Sequence, residues 1–157
     1  MVADSVIRTG DLLKVTFDPL IAPKSTLVVP ELMTPQPLLG SGKDVLVDGR
    51  PVCLKGDEYP PVARPFTFLH YTVTALPNPY LGGVGWLRLA PGPSNTTAHT
   101  TADGLPVLIR GTAFTAAFDV FRPAFQAQPS GSPVPDTTRS YSGTAEFLRG
   151  SDTVKAG

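Results

Sequence analysis

The side chains best suited to chemistry in this sequence are its single cysteine, Cys53, its two histidines, His70 and His99, and the carboxylate of Asp44. Thiolate, imidazole and carboxylate are the donors that zinc takes, so a metal site is the first chemistry to weigh. Cys53, His70 and His99 make three soft ligands where a closed structural site wants four, and no C-x-x-C pair anchors them. No metal or other cofactor is therefore expected, and a zinc site would have to be assembled from Cys53, His70, His99 and Asp44. Gly40-Ser41-Gly42-Lys43-Asp44 invites comparison with a phosphate loop. Such a loop needs Gly where Pro37 stands and Ser or Thr where Asp44 stands, so the run reads as a glycine turn before a strand. Nucleophilic catalysis would need Ser or Cys beside a base, and neither G-x-S-x-G nor H-E-x-x-H occurs. No catalytic residue is expected, and the chain does not read as an enzyme.

The element that positions Asp44 and Cys53 occurs twice. Asp48 to Gly56 reads D-G-R-P-V-C-L-K-G, and Asp103 to Gly111 reads D-G-L-P-V-L-I-R-G, with both Gly, the Asp, the Pro and the first Val identical. Asp48-Gly49 and Asp103-Gly104 can each take the positive φ angles of a type I′ turn, flanked by apolar residues, which predicts two β-hairpins. In that register Val47 faces Arg50, Leu46 faces Pro51, Val45 faces Val52 and Lys43 faces Leu54. Pro51 and Pro106 cannot donate a ladder hydrogen bond, so both ribbons should be edge-like, and Gly56 and Gly111 close the two copies. The repeat sets His99 on Asp44 and Leu108 on Cys53, so Asp44, Cys53 and His99 lie at equivalent levels of two related hairpins that an internal symmetry axis could relate.

The chain has 157 residues, enough for one domain with a real core. Thirteen basic and thirteen acidic residues cancel, and no basic cluster with interleaved aromatics appears, so nucleic acid is not an expected partner. No run approaches the roughly 20 apolar residues that cross a bilayer, so stable membrane insertion is not expected either. A lone cysteine and a polar start without a secretory signal point to a protein made and folded in a cytosol. With 18 Pro and 15 Gly, helices are disfavoured and turns multiplied.

The expected fold is therefore all-β, built of short hairpins with an internal pseudo-repeat. Strands are expected at Asp11–Phe17, Thr26–Val29, Phe66–Ala75, Trp86–Leu89 and Ala113–Phe125, with Gly82 to Gly85 opening the fourth and Pro30 to Pro37 in extended loop. The β domain takes residues 1–125, as a duplicated unit of about 14–69 and 70–125. Residues 126–157, rich in Ser, Gly, Pro and Thr, read as a C-terminal extended arm with a helical turn at Ala145–Arg149.

The stretch G-S-G-K-D-V-L-V-D-G-R-P-V-C-L-K-G-D, Gly40 to Asp57, resembles the signature of PAAR-repeat and PAAR-like proteins: a glycine-rich turn, a strand, an Asp-Gly turn, a Pro, then Gly-Asp. Ala102 to Thr112 resembles it less, and of the Pro-Ala-Ala-Arg that names the family only Pro51 and Pro106 remain. The resemblance implies a small conical domain that caps a trimeric VgrG-like spike of a contractile injection system, one copy per trimer, sharpening it for membrane puncture. Some members carry effector cargo. It also implies assembly in the cytoplasm and release as part of an injection particle. The contrasting expectation is a small β-sandwich that binds a ligand or receptor.

Overall fold

The computed structural model describes residues 3–18, 26–74 and 78–157. Its strands, in chain order, are β1 (Asp4–Ser5), β2 (Leu12–Phe17), β3 (Thr26–Val28), β4 (Gln36–Pro37), β5 (Leu46–Val47), β6 (Arg50–Pro51), β7 (Leu69–Thr74), β8 (Tyr80–Ala90), β9 (Thr96–Ala102), β10 (Leu105–Leu108), β11 (Phe114–Arg122), β12 (Phe125–Gln126), β13 (Val134–Pro135), β14 (Ser140–Phe147) and β15 (Lys155–Ala156). Among the described residues the only helical pieces are single 3-10 turns at Pro30–Leu32, Pro61–Ala63 and Pro93–Asn95. Each begins at a proline, whose fixed φ and missing N–H suit the first turn of a helix. The all-β class expected from the composition holds.

The large sheet runs β3-β7-β8-β11-β14-β2, every neighbouring pair antiparallel. It curls until Lys14–Phe17 of β2 and Thr26–Val28 of β3 border one open groove, so that six strands enclose a single core. Side chains alternate as the pleat requires: on β14, Tyr141, Ala145 and Phe147 are buried while Ser140, Ser142, Thr144 and Glu146 are exposed. Tyr71, Phe118, Phe147, Leu13, Leu69 and Leu87 fill the interior. Each such fully buried apolar side chain contributes roughly 1.5–3 kcal/mol. A single sheet curled around its own core in this way replaces the two facing layers of the β-sandwich alternative.

Several expectations are corrected here. Residues 126–157 are not an extended arm, because β14 lies inside the sheet between β11 and β2 and its inward residues join the main core. The low apolar content of the stretch misled: a strand with one wet face needs an apolar residue only at every second position. Ala145–Phe147 is accordingly strand rather than helical turn. Gly82 to Gly85 does not precede a strand but lies within β8. A Cβ on Gly83 would come 2.1 Å from the Tyr71 ring, and one on Gly85 would come 2.3 Å from the Asp119 carbonyl oxygen. These glycines make room for packing rather than for a turn. β7 starts at Leu69, leaving Phe66 and Phe68 outside it and exposed; Ala75, the expected end of that strand, lies outside the described residues.

Candidate functional site

Above the curled sheet the two repeated segments meet a third. Ser5–Thr9, Pro51–Lys55 and Pro106–Arg110 close a ring of backbone hydrogen bonds. The Cys53 N–H donates to the Ile7 carbonyl (2.9 Å), the Leu108 N–H to the Cys53 carbonyl (2.9 Å) and the Ile7 N–H to the Leu108 carbonyl (3.0 Å). A second cycle surrounds it: Thr9 N–H to Pro51, Lys55 N–H to Pro106 and Arg110 N–H to Ser5, each 2.9 Å. The bridges Val6 with Ile109, Arg8 with Val52 and Leu54 with Val107 complete three equivalent contacts. This is a pseudo-threefold axis. Pro51 and Pro106 stand where only the carbonyl is used in the ring, which is why proline is tolerated there.

The sequence accounts for the ring in all three copies. Ser5-Val6-Ile7-Arg8-Thr9-Gly10-Asp11 aligns with Pro51-Val52-Cys53-Leu54-Lys55-Gly56-Asp57 and with Pro106-Val107-Leu108-Ile109-Arg110-Gly111-Thr112. Gly10, Gly56 and Gly111 all have positive φ, at 93°, 108° and 54°, a region that suits glycine. Ile7, Cys53 and Leu108, wholly buried, face the main core. On the opposite face Val6, Val52, Val107, Leu54 and Ile109 join Val47 and Ala102 in a small second core, against which Ala156 packs.

A hairpin folds over each side of the ring. β5 pairs with β6 and β9 with β10, through Asp48-Gly49 (φ 53° and 77°) and Asp103-Gly104 (φ 50° and 80°), the positive pairs of type I′ turns. The inner pairings Val47 with Arg50 and Leu46 with Pro51 are those expected. Lys43 does not face Leu54, because beyond Pro51 the strand leaves its hairpin for the ring, where Leu54 bridges Val107. The third hairpin is discontinuous: β1 pairs with β15, Asp4 opposite Ala156 and Ser5 opposite Lys155.

Replacing Gly49 by Val should lower stability by on the order of 1 kcal/mol or more, since a β-branched side chain is strained at positive φ. A urea titration of Gly49→Val beside Gly49→Asn checks this, with the asparagine variant losing less. The glycine turn Gly40-Ser41-Gly42 packs on the first ring strand, where a Cβ on Gly40 would lie 2.5 Å from the Val52 carbonyl oxygen. Asp57 accepts hydrogen bonds from the N–H and hydroxyl of Ser41 (2.8 and 2.7 Å) and from the Leu54 N–H (2.8 Å). Asp11 caps the Arg8 N–H in the equivalent way (2.8 Å).

Turn carboxylates tie each unit to its neighbour. Asp103 accepts from the Lys43 N–H (2.8 Å), while Asp48 accepts from the hydroxyls of Ser151 (2.6 Å) and Thr153 (3.1 Å) and from Arg8 (2.6 Å). Arg8 is buried, and its guanidinium also pairs with Asp11, which is 1% exposed. The hydrogen bond to Asp11 raises the pKa of Arg8, with Asp48 adding to it. Hydrogen bonds from Ser151, Thr153 and Arg8 hold the Asp48 carboxyl below its ordinary value. A carboxyl lowered by folding stabilises at neutral pH and loses that contribution as pH falls through the carboxylate range, beginning at about pH 5. Melting temperatures of wild type and Asp48→Asn should therefore converge between pH 7 and 3; a constant gap would show that folding does not shift the Asp48 carboxyl.

The residues from which zinc would have to be assembled are not brought together. Cys53 lies on the axis between Ile7 and Leu108, its thiol pushed well up by burial. His70 is exposed on β7 beside Glu31 (3.1 Å), His99 is exposed on β9, and Asp44 is exposed ahead of β5. Among the described residues no group of three or more His, Cys, Asp or Glu could hold an ion. Sequence reading missed the third ring strand, although Val6-x-x-x-Gly10-Asp11 matches Val52-x-x-x-Gly56-Asp57. Its Asp-Gly turn is absent because its hairpin partner, β15, comes from the far end of the sequence.

No curated protein matches this chain. The family model described as contractile injection system spike tip protein matches residues 2–157, and the chain belongs to that family.

Proposed function

We propose that this spike tip caps the blunt end of a trimeric spike of the VgrG type, one copy to three spike chains, and sharpens it for puncture of a target membrane. The observation that carries the reading is the cyclic ring through Ile7, Cys53 and Leu108. A single chain seated on a threefold partner meets three identical edges, and only a chain that repeats itself about an axis can offer each edge a similar neighbour. Below the ring, each unit sends one strand out and brings one back: β2 and β3, β7 and β8, β11 and β14. Their far ends, at Phe17, Thr26, Thr74, Tyr80, Arg122 and Ser140, form the rim that would meet the spike. The apex suits a mechanical role, since hydrogen bonds and two hydrophobic cores hold all three units together.

The tip would be assembled in the cytoplasm and leave with the particle. It needs no metal for this, and elemental analysis of purified protein should find less than one zinc per chain. Native mass spectrometry of tip mixed with purified spike tests the capping: the expected mass is three spike chains plus one tip. Three tips per trimer, or none, would refute it. The tip alone should associate through its uncovered rim, and the spike should restore its solubility.

A further inference from the structure

The outer wall carries a feature that the three-unit plan does not repeat. Phe68, Trp86 and Phe121 pack as a trio, with ring centroids 5.9 Å (Phe68–Trp86), 4.9 Å (Phe68–Phe121) and 5.8 Å (Trp86–Phe121) apart, and Phe66 meets Trp86 at 5.4 Å. Phe66, Phe68 and Phe121 are 75%, 55% and 60% exposed. On β14 and β2 the outward side chains are instead Ser140, Ser142, Thr144, Glu146, Lys14 and Thr16. Phe66 holds φ at 61°, a strained value for an aromatic residue, in a turn closed by the Thr67 N–H on the Arg64 carbonyl (2.9 Å). Strain maintained to hold a ring in water, not in the core, marks a surface with a use.

We propose that Phe66, Phe68, Trp86 and Phe121 form a docking site for one short apolar segment of a single-copy protein carried with the tip. This rests on the capping reading: contacts to a threefold spike recur in three units, and this patch occurs in one. The three exposed phenylalanine rings leave roughly 400 Å² of apolar surface open. That is about half of what each partner contributes to a standard protein interface, too little for a stable dimer of this chain. It is enough to anchor a few apolar side chains of a segment laid across the wall, with the Arg88 and Asp119 pair at its margin to bond that segment's backbone. A lipid surface fits less well, because Arg88 is paired to Asp119 and the chain has no net charge.

Trp86 is the only tryptophan, so its fluorescence reports on the patch directly. The full chain should be titrated with peptides of about 15 residues tiled across the other proteins of the particle, with phosphatidylethanolamine–phosphatidylglycerol vesicles and with a chito-oligosaccharide. The expected result is a blue shift with a peptide from one protein other than the spike, and affinity at least about tenfold lower in Phe68→Ser and Phe121→Ser. Both variants should still unfold cooperatively, within about a few degrees of the wild type, since each changes a largely exposed side chain. A shift with vesicles, sugar or a spike peptide, a shift with none of the probes, or a shift that both variants retain, would overturn the proposal. Failure of the capping reading is seen separately, in the native mass of tip with spike, which does not involve Trp86.

Discussion

A chain ending at Arg139 is expected not to fold. Removing residues 140–157 takes β14 out of the middle of the sheet, leaving β11 and β2 with unpaired edges and the core without Tyr141, Ala145 and Phe147. Two large aromatic side chains lost from a core would alone cost several kcal/mol, about 3–5 kcal/mol for each deleted. Total stabilities of domains are only about 5–15 kcal/mol, so the loss is expected to exceed what this fold has. Urea titration followed by circular dichroism should show no cooperative transition in the truncated chain. A chain ending at Ser151 should behave differently: it loses β15 and the Thr153 bond to Asp48, but keeps all six strands of the curled sheet. It should unfold cooperatively at a lower urea midpoint. A cooperative transition in the shorter chain would mean that residues 140–157 are an appendage after all.

The contrast between those two deletions marks where the sequence could be read and where it could not. Asp48-Gly49 and Asp103-Gly104 were legible because a type I′ turn needs positive φ at two adjacent residues, and few dipeptides supply it. The pairing of Val47 with Arg50 followed from the same turn. What lay two residues further on did not follow, because Val52 bridges Arg8, 44 residues before it, and Leu54 bridges Val107, 53 residues after it, and nothing local marks such a partner. The third unit was hidden for a related reason. Its strand, Val6 to Asp11, carries the apolar and Gly-Asp pattern but no turn, since its hairpin partner is separated from it by nearly the whole sequence. The aromatic patch is invisible to pattern reading for the opposite reason: Phe66, Phe68 and Phe121 look like core, but β7 starts only at Leu69, after the first two, and Phe121 sits at a register shift near the end of β11.

The Arg8 guanidinium is where the pseudo-symmetry is broken by charge, and its replacement should have the other large effect. Arg8 occupies the position held by Leu54 and Ile109 in the other two units, so a leucine fits the backbone and the small core there. Size is therefore not the obstacle. Asp11 is 1% exposed, and both its oxygens take bonds from Arg8, Oδ1 from Nη2 (3.1 Å) and Oδ2 from Nε (3.2 Å) and the backbone N–H (2.8 Å). Arg8→Leu leaves that carboxylate buried with one backbone donor and no counter-charge, a change that typically costs about 3–5 kcal/mol. Asp48 would lose one of three partners but keep Ser151 and Thr153, so its share of the loss is smaller. If the buried charge is the cause, Arg8→Leu with Asp11→Asn should be more stable than Arg8→Leu alone, because the amide oxygen still accepts the Arg8 N–H without a charge to desolvate. Urea midpoints of the wild type, both single variants and the double give the coupling directly. Equal losses in Arg8→Leu and the double would show that lost packing of the long arginine side chain, not the stranded carboxylate, sets the cost.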